Sequence, residues 1–333
     1  MRLSADRVDA ATETLNQAEK ERKDQEWHAI VNPASGGGRT RKVWPPLAEK
    51  LRARGVRLHQ HETAGVGDAT EIAQRLVGEG ASEILVVGGD GTLNEVINGV
   101  VADDEVASAD VVLSLIPCGT GKDFARSLGI KSPEHALDVL ANGAISALDI
   151  GSISYRVGDT PERRFFVNVA DVGLGAETAA WMNRSSKRLG GFLGYLVAAT
   201  RTIIVFSGKP ARVMVDDVPV HDGPAGMVVL ANGRYFAGGM RIAPNASLTD
   251  GLVDVLILDD VPKYTLLGSL LPRVYRGKHL EHPAVHHYQG SRIEISSPES
   301  MPFEVDGEQP GFTDIGVCMR RGALKVRTPA PAE

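Results

Sequence analysis

Cysteine is nearly missing from this chain: Cys118 and Cys318 are the only two in 333 residues. Two cysteines make no disulfide framework at this length, so a reducing cytosol is the simpler setting. A long Lys/Arg block is also lacking, and the formal charge is −6. Both argue against a nucleic-acid partner. The first residues, Met1 to Asp24, are polar and charged and contain no apolar core of a secretory signal. No apolar run is long enough to span a bilayer. The most apolar one, Gly190 to Phe206, carries Arg201 and is shorter than the roughly 20 residues a spanning helix needs. The expectation is a cytoplasmic protein that crosses no membrane but can still touch the inner face of one.

What is present belongs to a globular protein: 43% of residues are hydrophobic and 23% charged, over a length sufficient for two domains. Residues 1–24 read as a charged extension. From Trp27 onward, short apolar runs alternate with helical patterns. The runs are His28 to Val31, Val56 to His61, Ile84 to Val87 and Val111 to Ile116. Such alternation predicts a doubly wound parallel α/β domain over 25–150, with ligand loops gathered at the carboxyl ends of its strands. Beyond Asp149-Ile150-Gly151 the texture becomes short alternating runs separated by turn residues. A β-rich, antiparallel, sandwich-like domain is therefore expected over 151–327, with its last strand free to return to the first domain. Ala176 to Phe206 and Pro262 to His287 interrupt it with helical or irregular character, and 328–333 form a Pro/Ala-rich tail.

The organising stretch is Ile84-Leu85-Val86-Val87-Gly88-Gly89-Asp90-Gly91-Thr92-Leu93-Asn94-Glu95-Val96. A strand breaks at a glycine pair and resumes as a helix, for which Thr92 and Glu95 read as a capping box. A glycine turn feeding a helix N-terminus points N–H groups at an anion. Asp90 in that turn would repel a phosphate unless a divalent cation bridges the two. Taken alone, the same residues could be only a tight strand-to-helix turn. Two further glycine loops, Asn32 to Gly38 and Pro117 to Asp123, would meet it at the strand ends. Neither a Walker A loop around Gly121-Lys122 nor a dinucleotide fingerprint after Gly173 fits, because the required glycine and Ser/Thr slots are filled by other residues.

Taken in order, these motifs resemble the catalytic domain of diacylglycerol kinases and sphingosine kinases, in particular the soluble bacterial lipid kinases. The resemblance rests first on Asn32-Pro33-x-Ser35-Gly36, Gly88-Gly89-Asp90-Gly91-Thr92-x-Asn94-Glu95 and Pro117-x-Gly119-Thr120-x-x-Asp123-Phe124-Ala125-Arg126. It continues through Ala231-Asn232-Gly233-x-Tyr235-x-x-Gly238-Gly239, Ala243-Pro244-x-Ala246, Asp250-Gly251-x-Val253-Asp254-Val255 and Asp306-Gly307-Glu308. NAD kinases and phosphofructokinases share the Gly-Gly-Asp-Gly turn. In NAD kinases, however, the Asn-Glu pair usually lies well downstream, whereas Asn94-Glu95 adjoins the turn here.

The resemblance implies an ATP- and Mg²⁺-dependent kinase acting on a lipid hydroxyl, with diacylglycerol as the leading acceptor. A sphingoid base, another lipid or NAD, or a non-catalytic regulator, are the alternatives. By the same resemblance Asn32, Pro33, Ala34, Ser35, Gly36, Thr63, Gly89, Asp90, Gly91, Thr92, Leu93, Asn94, Glu95 and Thr120 would line the ATP site. Glu308 would be the proton acceptor, with Asp90 its rival and Asp306 beside it in the catalytic set. Asp123 would join the network around the catalytic Mg²⁺, and Ser247, Asp250 and Leu252 would hold a structural one. Thr63 could equally be a turn hydroxyl, Asp250-Gly251 a plain turn, and Asp123 a cap for Thr120. Arg184, Lys187 and Arg188, followed by Phe192, Leu193, Tyr195 and Leu196, could rest on an anionic membrane or form a buried helix with a charged start. A homodimer is left open.

Overall fold

The structure is a computed structural model and describes residues 26–101, 111–178, 202–203 and 205–330. The expected membrane stretch from Arg184 to Leu196 lies outside those residues. Four parallel strands open the chain: β1 (Glu26–Val31), β2 (Arg57–Glu62), β3 (Glu83–Gly88) and β4 (Val112–Pro117). They lie in the order β2-β1-β3-β4. β3 and β4 are buried along their whole length, as continuous apolar runs require when both faces are covered. Helices α1 (Thr40–Ala53), α2 (Asp68–Gly78), α3 (Asp90–Val100), α4 (Asp123–Ser127) and α5 (Pro133–Asn142) connect and flank them. From β1 the chain winds outward to β2 and then back across to β3. The switch point, where such sheets bind ligands, therefore lies beyond the carboxyl ends of β1 and β3.

The remaining strands are antiparallel: β5 (Ala144–Val157), β6 (Thr160–Phe166), β7 (Val169–Gly173), β8 (Lys209–Val215), β9 (Val218–Ala231), β10 (Val253–Asp259), β11 (Val285–Gly290), β12 (Arg292–Ser296), β13 (Pro302–Val305), β14 (Glu308–Phe312) and β15 (Ile315–Thr328). β15 joins the two halves. Its early residues pair with β12, and its late ones, Lys325 and Val326, pair in parallel with β4. β5 follows β15 along both stretches. The returning end is fixed by a buried bond from Arg327 Nη2 to Glu83 Oε1 at 2.7 Å. Leu148, Ile150, Leu324 and Val326 accordingly sit in the α/β core, while Ile153 and Val317, further along the same two strands, sit in the sandwich core with Val213, Val228 and Phe303. The two-part architecture is the expected one, with a parallel α/β half and a β-rich antiparallel half.

Three local expectations need correction. α3 begins at Asp90 with Gly89 as its N-cap, and no side chain caps it. Thr92 is therefore already inside the helix, where its hydroxyl accepts from Asn32 Nδ2 at 2.9 Å, and Glu95 accepts from Ala69 N–H at 3.2 Å. The apparent capping box is instead two contacts to neighbouring elements. Second, Val285–Gly290 is a strand paired with β10 rather than the end of an irregular segment. It carries two histidines and a glutamine, so its apolar alternation is weak. Third, the Phe165 to Val169 run is not one strand: β6 ends at Phe166 and β7 starts at Val169.

Candidate active site

Three loops meet beyond the ends of β1, β3 and β4, and they meet through glycine. Gly36 has φ +61°, and a Cβ there would lie 2.5 Å from the Cys118 carbonyl oxygen. A Cβ on Gly119 would lie 2.4 Å from the Gly89 Cα. No side chain fits between these backbones, which explains why all three loops are glycine-rich. Asn32 ties the first loop to the second. Its Oδ1 accepts from Ala34 N–H at 3.0 Å, and its Nδ2 donates to Thr92 Oγ1 at 2.9 Å. The result is a close-packed main-chain floor at the switch point. Thr63, buried at the end of β2, donates its N–H to Val31 O, and Thr120 stands exposed on the third loop. Leu93, 3% exposed, belongs to the α/β core, and its N–H is bonded to Gly89 O.

At the head of α3, the Asp90 carboxylate accepts the Asp123 and Phe124 N–H groups at 3.1 and 3.2 Å and so caps α4. Asp123 is 4% exposed; it accepts from Gly238 N–H at 2.7 Å and pairs with Arg126. Asp123 is thus held by Arg126 and Gly238 and does not cap Thr120. A Cβ on Gly121 would lie 3.0 Å from Asp90 Oδ2 and 3.4 Å from Asp123 Oδ2, so both carboxylates border the same glycine. Burial raises the pKa of Asp90, and burial with the Asp90 charge raises that of Asp123 to about 6. One buried and one partly buried carboxylate facing one partly exposed guanidinium leave negative charge uncompensated, and a hard divalent cation would supply the balance. The residues present fit Mg²⁺ in this respect.

The second half contributes a turn between β13 and β14. Asp306, at φ +47°, is the hub. Its carboxylate accepts the N–H groups of Val167, Asn168 and Val169 at 3.1, 3.2 and 3.0 Å, and Asn94 Nδ2 at 2.9 Å. Burial raises its pKa to about 6, against those four bonds, which favour the ionised form. Asn94 is 1% exposed and also donates to Phe165 O, so it joins α3 to this turn rather than facing a ligand. Glu308, two residues on, is half-buried and pairs with Arg164 Nη2 at 2.6 Å. Glu95 lies close enough for the Glu308 charge to help raise its pKa, after burial as the main cause.

Sequence reasoning missed three groups. Arg164 sits on β6 opposite Glu308. Asp149 is fully buried and accepts Gly251 N–H at 2.6 Å and Gly322 N–H at 2.7 Å. Glu304 and Asp171 face each other across β13 and β7; Glu304 Oε1 accepts Gly307 N–H at 2.9 Å and Asp171 Oδ1 accepts Ala176 N–H at 2.8 Å. Burial raises the pKa of Glu304 to about 7 and that of Asp171 above the usual carboxylate range, and the charge of each neighbouring carboxylate adds to the rise. A paired acidic position on two alternating strands was the available signal for this pair.

The Ser247–Leu252 loop lies apart from Glu308, over Asp149. Asp250 Oδ1 accepts Leu252 N–H at 3.0 Å, and Ser247 Oγ accepts Thr249 N–H at 3.3 Å. A hydroxyl, one carboxylate and a main-chain carbonyl are all hard oxygen donors, of the kind Mg²⁺ takes, but only one carries charge. Among the described residues no group of three His, Cys, Asp or Glu side chains could hold a metal ion.

Beside β9 and β10 opens a narrow apolar cleft of about 130 Å³. Met227, Val229, Met240, Leu256, Leu270 and Val274 line it. Gly175 separates it from Asp171, since a Cβ there would lie 2.4 Å from Asp171 Oδ2.

Comparison with known proteins gives the family. Residues 26–153 match the profile of the diacylglycerol kinase catalytic domain, and residues 168–328 that of the YegS C-terminal NAD kinase beta sandwich-like domain. The chain is 31% identical over 301 residues to a diacylglycerol kinase of Staphylococcus saprophyticus, covering 90% of this chain and 94% of that one. It is 30% identical over 301 residues to that of Staphylococcus epidermidis, covering 90% and 91%. A crystal structure of a Bacillus anthracis diacylglycerol kinase shares the fold, with a TM-score of 0.64, 20% identity, and 91% and 97% of the two chains covered. The chain belongs to the diacylglycerol kinase family of ATP-dependent lipid kinases, phosphotransferases with an alcohol group as acceptor.

Proposed function

We propose that this kinase transfers the γ-phosphate of ATP to the free hydroxyl of diacylglycerol, giving phosphatidic acid and ADP. The observation that carries the reading is the Asp306 hub. The Asp306 carboxylate, in the turn that presents Glu308, holds both Asn94, on the helix that follows the glycine floor, and Val167 N–H between β6 and β7. Phosphate site and base are thereby fixed relative to each other, which is the positioning that phosphoryl transfer depends on.

In this reading the triphosphate sits on the floor built on Asn32 to Gly36, Gly89 to Thr92 and Thr120, where the first N–H groups of α3 have no partner within the helix. Glu308 takes the proton of the lipid hydroxyl as its oxygen attacks the γ-phosphorus and ADP leaves. Arg164 orients Glu308, and Asp306 positions the turn without touching substrate. Asp90 and Asp123 would hold Mg²⁺, which when bound neutralises charge on the phosphates. Ser247, Asp250 and Leu252 would hold a second, structural ion. The apolar cleft receives an acyl chain, and the enzyme works at the cytoplasmic face of a membrane.

The test is transfer from γ-labelled ATP, with Mg²⁺, to diacylglycerol, monoacylglycerol, sphingosine and ceramide in mixed micelles, with NAD in buffer and Asp90→Ala alongside. Labelled phosphatidic acid from the native protein, lost in the variant, is expected. Label confined to another acceptor would contradict the choice of diacylglycerol.

A further inference from the structure

One wall of the apolar cleft differs in charge from the rest of the chain. Residues 261–280 contain Lys263, Arg273, Arg276 and Lys278 and no Asp or Glu, in a protein of formal charge −6. Three short helical turns make up its core: Lys263–Thr265, a π-type turn Leu266–Leu270, and Leu271–Val274. Their inner side gives Leu266, Leu270, Leu271 and Val274 to the cleft. Their outer side is unusual for a water-facing surface. Tyr264 is 78% exposed, and Arg273 and Arg276 are exposed and form no ion pair among the described residues.

A second segment extends this side. The Lys263 ammonium donates to the Phe206 carbonyl oxygen, which brings Val205, 72% exposed, to the same rim. Ile203, two residues earlier, lines the cleft, as does Leu266, two residues after Tyr264. Each exposed apolar residue thus stands just outside a residue that faces the cavity. An aromatic and an aliphatic side chain at the mouth of an apolar cleft, with cations nearby that form no ion pair among the described residues, is the chemistry of a surface that enters the headgroup region of an anionic lipid layer. A soluble partner is disfavoured, because the rim is continuous with a cavity that a lipid chain must enter from the bilayer.

We propose that the outer side of residues 262–276, together with Val205, is the surface that seats this protein on an anionic bilayer, with the cleft mouth turned to the lipid. The inference rests on the lipid-kinase reading above. Tyr264 and Val205 enter the interface, while Arg273 and Arg276 meet lipid phosphates.

The full-length protein would be sedimented with vesicles of phosphatidylcholine alone and of phosphatidylcholine with phosphatidylglycerol. The double variants Tyr264→Ser/Val205→Ser and Arg273→Gln/Arg276→Gln would be compared, none of these residues lining the cleft. The native protein should prefer the anionic vesicles, and each variant should lose about tenfold or more in partitioning. KM for long-chain diacylglycerol in vesicles should rise, while turnover of a short-chain, water-dispersed diacylglycerol stays as in the native protein. Native-like sedimentation of both variants would overturn the proposed surface. If neither diacylglycerol is phosphorylated by the native protein, the kinase reading fails instead, and the vesicle partitioning still decides the surface.

Discussion

The two halves of the site are built from different materials. The α/β half offers a floor of main chain, with Gly36 so close to the Cys118 carbonyl and Gly119 so close to Gly89 that a methyl group on either would not fit. The β-rich half offers carboxylates: Asp306, partly buried with four donors, and the buried Glu304 and Asp171. A floor of N–H groups suits a polyanion that is the same in every turnover. Fixed carboxylates suit the task of holding Glu308, the proposed base, against an acceptor that comes from elsewhere. The difference teaches that close packing makes the first half rigid, whereas in the second half it is saturation of hydrogen bonds.

That contrast can be broken from either side. The largest stability effect is expected at the hub. Asp306→Ala leaves three N–H groups and an amide without their acceptor and should cost about 3–5 kcal/mol in urea unfolding. Should that variant unfold outright, Asp306→Asn, which keeps part of the acceptor set, should lie between it and the native protein. On the floor, Gly119→Ala drives a methyl into the Gly89 backbone and should cost about 1–3 kcal/mol, with a larger loss in ATP affinity than in lipid affinity. Gly37→Ala, at φ +66° with open space around it, should cost only about 1 kcal/mol of backbone strain, measured the same way.

The smallest effect sharpens the carboxylate side. The pKa of Glu304 is raised in the folded protein from an ordinary 4.5 to about 7. Its contribution to stability is therefore fully present below the ordinary value and is lost as pH rises through about 7. Glu304→Gln should remove that part of the pH dependence, so the difference in unfolding midpoint between native and variant narrows from pH 5 to pH 8. A difference that does not change with pH would contradict the raised pKa of Glu304.

The floor was legible in the sequence because each of its residues is dictated locally. A backbone that must approach another admits only glycine, and an apolar run of six residues admits few structures but a buried strand. The hub was not legible in the same way. Asp306 could be read as part of an Asp-Gly-Glu turn, but its partners lie 137 to 212 residues away and are mostly main-chain N–H groups, which carry no residue signature. Asp149 was hidden for the same reason, since its acceptor bonds go to Gly251 and Gly322 N–H. Thr92 and Glu95 misled because the spacing of a capping box also suits two side chains that reach across to Asn32 and Ala69. β15 was read only at its end, Ala323 to Val326, because its earlier part contains Gly316, Cys318 and two arginines and lacks a clean alternation.

The most direct test of the account is single-turnover transfer from labelled ATP to diacylglycerol by the native protein and by Glu308→Gln, with ATP affinity measured on both. Glu308 lies outside the glycine floor and is half-buried, so the substitution should leave ATP affinity and unfolding midpoint close to native. The rate of transfer should fall by roughly 10²–10⁴-fold, as expected for loss of a general base. A variant that binds ATP normally and transfers phosphate at the native rate would contradict the assignment of Glu308 and, with it, the role given to the Asp306 hub.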